Sequence, residues 1–370
     1  MFNLALSHIS ATPTARVEVG SILTPSAPVK PNFVGLSIEV GGVLDMIGER
    51  GNSSALAALL RHLYRATSPP HAGPTLRLGG NSADDSCWHT AAPAHAQACG
   101  YIIGDADLAA YIAFAEDTAK EANVSYIIDT NFGLSPDPHA VAVPHVVAVL
   151  AARDAAGHLL QDRVSAFEVG NEMDLYATHF RQPGKPQHRN ASYTEAEYEV
   201  EFAAYVAAYV AVGLSPKRMI QGATYAETSH GEWGKRFETY VESFAASMGS
   251  VSLHQYATST CKAGSNVSAA QLLDDATITG KAGYLRKYAA AAAAVGVPLV
   301  VGEGNTASCG GQPGVSDTMA SALWALAYLP LLSQAGTMGM NFHGGPHGAY
   351  PPIAFEAGVL QVRPLYCTPT

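Results

Sequence analysis

The chain has 370 residues, 48% of them hydrophobic, with a mean hydropathy of +0.08 and a formal charge of −10. So much apolar side chain can bury a large core, which excludes disordered and fibrous classes and fits one large domain. The basic residues form no run or stripe, so no footprint for nucleic acid is expected. No stretch reaches the roughly 20 apolar residues of a membrane span; the nearest, Tyr288–Val301, is Ala-rich and follows Lys287.

Apolar, β-branched runs alternate with long amphipathic segments in chain order. Strands are predicted at Phe33–Val40, Thr75–Gly80, Val124–Thr130, Val164–Gly170, Arg218–Ala223, Val251–Tyr256, Pro298–Gly302 and Met338–His343. Helices are predicted between them at Ser54–Ala66, Asp105–Ala122, His139–Ala156, Thr194–Val212, Arg236–Met248, Ala269–Val295 and Asp317–Gln334. Eight strands with intervening helices describe a (β/α)8 TIM barrel of the α/β class better than an open sheet. Before it, Ala15–Gly20 reads as one more strand, set off by the Pro-rich Thr24–Pro31 segment. After it, Gln361–Tyr366 reads as the opening of an eighth helix.

Five cysteines show no C-x-x-C spacing, so disulfides are expected rather than a zinc site. Cys87 and Cys99 are close in a loop-like stretch, and Cys261 and Cys309 each follow a predicted strand end, which pairs 87 with 99 and 261 with 309 and leaves Cys367 over. The first residues, Met1–Leu6, lack the basic region of a secretory signal. Sequons at Asn52, Asn123, Asn190 and Asn266 nevertheless suit a secreted glycoprotein.

In β/α barrels the reacting groups sit where strands end at the C-terminal face. The fourth predicted strand runs through Phe167-Glu168-Val169-Gly170 into Asn171-Glu172, and the seventh runs through Val300-Val301-Gly302 into Glu303-Gly304-Asn305. Either carboxylate could simply cap the helix that follows. Together they suit glycoside hydrolysis, which needs one carboxylic acid to protonate the leaving oxygen and one carboxylate to attack or to activate water. Asn171, beside the acid, has an amide able to bond the sugar 2-OH.

Three segments, Arg77-Leu78-Gly79-Gly80-Asn81-Ser82-Ala83-Asp84, Phe167–Asp174 and Val301–Gly311, resemble glycoside hydrolase family 79, the β-glucuronidase and heparanase group of clan A. The resemblance spans about residue 15 to residue 366. It implies a retaining mechanism with Glu172 as acid/base and Glu303 as nucleophile, acting on β-linked glucuronic acid with or without a 4-O-methyl group. It also implies sugar contacts from Glu39, Asn81, His254 and Tyr256, a supporting role for Arg77 inside the barrel, and uronate recognition in the segment after the eighth strand. There Gly344 and Gly345 permit close approach of backbone N–H groups and Tyr350 adds a hydroxyl.

His343 and His347 are spaced like metal ligands on a helix, but the intervening glycines and proline forbid that helix, so no metal and no cofactor is expected. The partner is a glycan; no nucleic acid and no membrane is expected, and the oligomeric state is left open. No Lys/Arg cluster stands beside the motifs, which favours exo action over cleavage of sulfated chains. The resemblance further implies a β-sandwich after the barrel. Residues 1–31 are then expected to carry one strand of it, and residues 32–370 a barrel lacking that sandwich and most of its last helix. Two other readings stay open: an inactive carbohydrate-binding barrel, and another clan A retaining β-glycosidase such as a β-glucosidase or xylanase.

Overall fold

A computed structural model describes residues 29–30, 32–48, 53–64, 73–90, 98–119, 122–177, 188–226, 232–356 and 359–367. The strand expected at Ala15–Gly20 and the sequon at Asn52 lie outside these residues. Eight strands close into a parallel barrel: β1 Val34–Glu39, β2 Thr75–Gly79, β3 Ser125–Thr130, β4 Val164–Val169, β5 Ile220–Tyr225, β6 Ser250–Ser259, β7 Leu299–Ser308 and β8 Met340–Gly344. Closure is made at Leu36 of β1, which lies opposite Leu76 of β2 on one side and Phe342 of β8 on the other.

Helices cover the barrel because each has an apolar face to bury against it. Helix Glu195–Ala211 begins at a capping box, in which Thr194 accepts from the Glu197 amide at 3.3 Å and Glu197 accepts from the Thr194 amide at 2.8 Å. Its buried face carries Tyr198, Phe202, Tyr205 and Tyr209, at successive turns. Tyr198 stacks on Tyr240 of helix Glu232–Phe244 with ring centres 5.7 Å apart.

Several expected elements differ from those observed. The fifth strand starts at Ile220 rather than Arg218, because Pro216 opens a short helix, Pro216–Met219, with its fixed φ. The expected helix His139–Ala156 is two, Pro138–Val141 and Val143–Ala151, and Ala269–Val295 is likewise two, Ala269–Leu272 and Asp275–Ala294. In the second case the Asp274 carboxylate accepts from the Thr277 amide at 2.9 Å and starts a new helix. Gln361–Tyr366 does not open a helix of the barrel. Val359–Val362 pairs antiparallel with Ile353–Glu356, and among the described residues a single 3₁₀ turn follows, Pro364–Cys367.

Disulfides join Cys87 to Cys99 and Cys261 to Cys309, and Cys367 belongs to neither. The second ties the rims of β6 and β7, which extend well past their expected ends to the pair Ser259–Ser308. Among the described residues, no helix is long and apolar enough to cross a membrane.

Two irregularities aim the functional rim. On β7, Val301 lies opposite Leu253 of β6, yet the next β6 residue, His254, faces Glu303. One extra residue, Gly302, has entered the strand. A side chain there is impossible without movement, since a Cβ would stand 2.0 Å from Ser252 Oγ. By the two-residue alternation of a strand, Glu303 would share the side of the core residue Val301. The bulge re-aims it towards the barrel interior. On β5, Ala223 and Thr224 have φ of +66° and +56°, and the register with β6 slips between Ala223 and Tyr225.

Candidate active site

A cavity of about 530 Å³ opens above the strand ends, and Glu172 and Glu303 are both on its wall. One oxygen of each and one ring nitrogen of His254 all lie within 4.8 Å of one another. By spacing alone this trio could approach a metal ion. The donor set argues otherwise, because Arg77 places a fixed cation on the same Glu303 carboxylate.

Arg77 comes from β2 and has no solvent exposure. Its guanidinium spends all three nitrogens on the barrel interior: Nε on Glu168, Nη1 on Glu303 at 2.9 Å and Ser37 Oγ at 3.1 Å, Nη2 on Asn171 at 2.9 Å and Asp129 at 3.3 Å. The three carboxylates outweigh burial and raise the Arg77 pKa further, so the cation is permanent. Burial and the adjacent Glu168 push the Asp129 carboxyl well above the usual range, against the pull of the guanidinium.

Glu303 has the opposite character. Burial would raise its pKa, but the charges of His343, His254 and Arg77 and the Tyr256 hydrogen bond outweigh that and hold it at about 2. The Tyr256 hydroxyl donates to Oε1 at 2.7 Å, while Arg77 occupies Oε2. Both oxygens are thus oriented and the group stays ionised.

Glu172 is presented differently. It follows Gly170, at φ +74°, and itself sits in the left-handed region at φ +53°, ψ +46°. For a residue with a side chain such a backbone costs on the order of 1–3 kcal/mol and persists only where surroundings impose it. Its amide donates to the Thr224 carbonyl at 3.0 Å, and its Oε1 bonds His254 Nδ1 at 2.8 Å. The residue is 9% exposed, with the carboxyl on the cavity wall.

Five of the substrate contacts expected from sequence line the same cavity: Glu39, Asn81, His254, Tyr256 and Tyr350. Tyr350 packs against Tyr256 with ring centres 6.1 Å apart. Glu39 is held by the Ser82 amide at 2.9 Å, and despite burial His343 and Ser82 keep its pKa low.

Three other residues expected at the sugar are not among those lining the cavity. Asn171 is 3% exposed, with Oδ1 on Arg77 and Nδ2 on Asn81 Oδ1 at 3.1 Å, so its amide serves the frame of the site. Gly344 is packed under Pro351, whose Cβ would lie 2.6 Å from an added Cβ, and Gly345 has nothing within 4 Å of one. Arg77, fully buried, reaches Glu303 from below the cavity.

The site also holds residues the sequence reading missed. His343 lies between two carboxylates, 3.5 Å from Glu303 and 3.5 Å from Glu39, with Nδ1 on Ser37 Oγ at 2.9 Å. Burial opposes its protonation, but the two carboxylates win and raise its pKa. His347 is exposed and plays no part in that group. Lys281, from helix Asp275–Ala294, reaches the wall. Asp129 and Glu168 carried a readable signal, each being a lone acid inside an apolar strand. Lys281 carried none, because only the barrel's closure brings its helix to the rim.

No protein-family model matches the chain. A β-glucuronidase of Neurospora crassa is 23% identical over an alignment of 376 residues, covering 92% of this chain and 63% of that protein. The chain therefore spans less than two thirds of that relative's length. Among solved structures, a 4-O-α-L-rhamnosyl-β-D-glucuronidase from Fusarium oxysporum superposes with a TM-score of 0.71 at 20% identity, over 93% of this chain and 69% of that one. An arabinofuranosidase from Xanthomonas axonopodis reaches 0.61 at 16% identity, over 94% and 73%. These solved glycosidases share the chain's barrel fold.

Proposed function

We propose that the protein is a retaining β-glucuronidase that releases terminal β-linked glucuronic acid, with or without a 4-O-methyl group, from a glycan. The observation that carries the retaining part of this reading is the closeness of the two acids, one carboxylate oxygen of Glu172 lying within 4.8 Å of one of Glu303. Retaining enzymes hold their carboxyl groups ~5–5.5 Å apart, and inverting ones ~6.5–9.5 Å to admit a water between acid and sugar.

In the first displacement Glu303 attacks the anomeric carbon through one carboxylate oxygen, and the C–O bond to the leaving group breaks as Glu172 delivers its proton to that oxygen. The product is a glycosyl ester on Glu303. In the second, Glu172, now a carboxylate, takes a proton from water. The water oxygen displaces Glu303, giving the free sugar with its original anomeric configuration and restoring the proton to Glu172. Arg77 and Tyr256 favour the ionised nucleophile needed at the outset.

Tyr350 and His343, both on the wall, supply donors suited to a uronate, while Glu39 and Asn81 suit sugar hydroxyls. Lys281 is the sole lysine or arginine among the cavity's described walls, where a sulfated chain would need a cluster of them, which favours exo action. Exposed Asn190 and Asn266 can act as glycan acceptors in an extracellular setting. The decisive experiment follows an aryl β-glucuronide by proton NMR. β-Glucuronic acid should appear first, and Glu303→Gln should abolish turnover. An α-anomer first, or turnover undiminished in the variant, overturns the proposal.

A further inference from the structure

We propose that Asp84, which does not touch the cavity, is a positioning residue for Glu172; the inference rests on the reading of Glu172 as acid/base. Asp84 closes the short helix Asn81–Asp84 after β2 and is 2% exposed. Its carboxylate accepts four hydrogen bonds from two other rim segments. Oδ1 takes the amides of Phe132 at 3.2 Å and Gly133 at 3.1 Å, after β3; Oδ2 takes the Asn171 amide at 3.3 Å and the Tyr176 hydroxyl at 2.5 Å, after β4.

The last two donors bracket the acid. Asn171 immediately precedes Glu172, and Tyr176 immediately follows the turn Met173–Leu175 that Glu172 opens. One carboxylate oxygen thus pins both ends of the turn, while Glu172's own amide is pinned on the far side by Thr224. The left-handed backbone at Glu172 would relax if the ends were released, and its carboxyl would leave the line to the leaving oxygen. Proton transfer depends on that line far more than sugar binding does. The close approach needs Gly133, where an added Cβ would stand 2.8 Å from the Cβ of Asp84.

Asp84→Asn separates the two halves of the clamp. Its amide oxygen can keep the Phe132 and Gly133 amides and its NH₂ can donate to Tyr176, but no acceptor remains for the Asn171 amide. The readout is kcat/KM on two substrates, phenyl and 2,4-dinitrophenyl β-glucuronide, the second having a leaving group that needs no proton. Asp84→Asn should lose at least about tenfold on the phenyl compound and less than about threefold on the dinitrophenyl one, a pattern specific to lost acid catalysis.

Equal loss on both, or none on either, overturns the proposal. Should Asp84→Asn fail to fold, Tyr176→Phe removes one donor to Oδ2 and keeps the ring; it should show the same pattern, weaker, and equal effects on both substrates overturn the inference. Glu172→Ala separates the two layers of argument. If it lacks the leaving-group dependence, the acid/base reading falls. If it shows the dependence and neither clamp variant does, only the role of Asp84 falls.

Discussion

Arg77 donates to Oε2 of Glu303 at 2.9 Å from a position with no solvent exposure, so a fully desolvated cation lies directly beneath the candidate nucleophile. Removing it would strand the Glu168 and Glu303 carboxylates in the barrel. Arg77→Met should therefore cost about 3–5 kcal/mol of stability, as breaking buried ion pairs does. Arg77→Lys should also impair the site, because one ammonium cannot span Glu168, Glu303 and Asn171 at once. Urea denaturation tests both; wild-type stability in Arg77→Met would contradict the bracing role.

The Glu303 carboxyl, held at about 2 against an ordinary 4.5, links stability to pH. A depressed carboxyl contributes stability that is fully present above pH 4.5 and is lost as the pH falls towards 2. The contribution is on the order of 3 kcal/mol. His343, whose pKa is raised, acts in the other sense: its share is complete below its ordinary 6.5 and disappears as the pH rises through its folded value. Unfolding free energies of wild type and Glu303→Gln, compared at pH 6, 4 and 3, should converge at the acid end. A gap that does not change with pH would show that Glu303 is not ionised by its surroundings.

Tyr256→Phe removes the 2.7 Å hydrogen bond to Glu303 and keeps the ring packed against Tyr350. We expect an intact fold, kcat/KM on an aryl glucuronide lower by about 10- to 100-fold, and an acid limb of the pH profile moved upward as the Glu303 pKa rises. An unmoved acid limb would mean that the hydroxyl does not restrain the carboxylate.

The bulge at Gly302 makes a steric prediction. Gly302→Ala drives a methyl onto Ser252 Oγ and should cost about 1–3 kcal/mol together with activity, since Glu303 is the next residue. Adding Ser252→Ala removes the clashing oxygen and leaves the Ser252 Cβ, 3.2 Å away, as its nearest side-chain obstacle there. The double variant should recover part of both losses, and no recovery would place the strain elsewhere.

The Cys261–Cys309 disulfide closes 48 residues between the β6 and β7 rims. Chain entropy assigns such a loop about 4 kcal/mol. The paired substitution Cys261→Ser with Cys309→Ser should lower Tm clearly, and an unchanged Tm would sink the estimate.

Much of this was legible in one dimension. The strand-helix alternation specified the starts of all eight barrel strands to within two residues, because a strand buried on both faces must be apolar and its length is limited by the barrel. Glu172 and Glu303 were legible because they interrupt such apolar runs near strand ends. Element ends were less so: Pro216 and Asp274 shifted boundaries through local geometry, and β6 and β7 ran on because they pair with each other and share a disulfide.

What the sequence determined by itself, then, was the alternation of elements and the two carboxylates, properties of neighbours along the chain, together with the pairing of the cysteines. The tertiary structure decided which groups act on those carboxylates. Arg77 reaching Glu303, His343 between Glu39 and Glu303, and Asp84 holding the turn of Glu172 join residues from different strands and rim loops. Hydrogen bonds and charge effects fall off within a few ångströms, so only closure of the barrel could bring them into force.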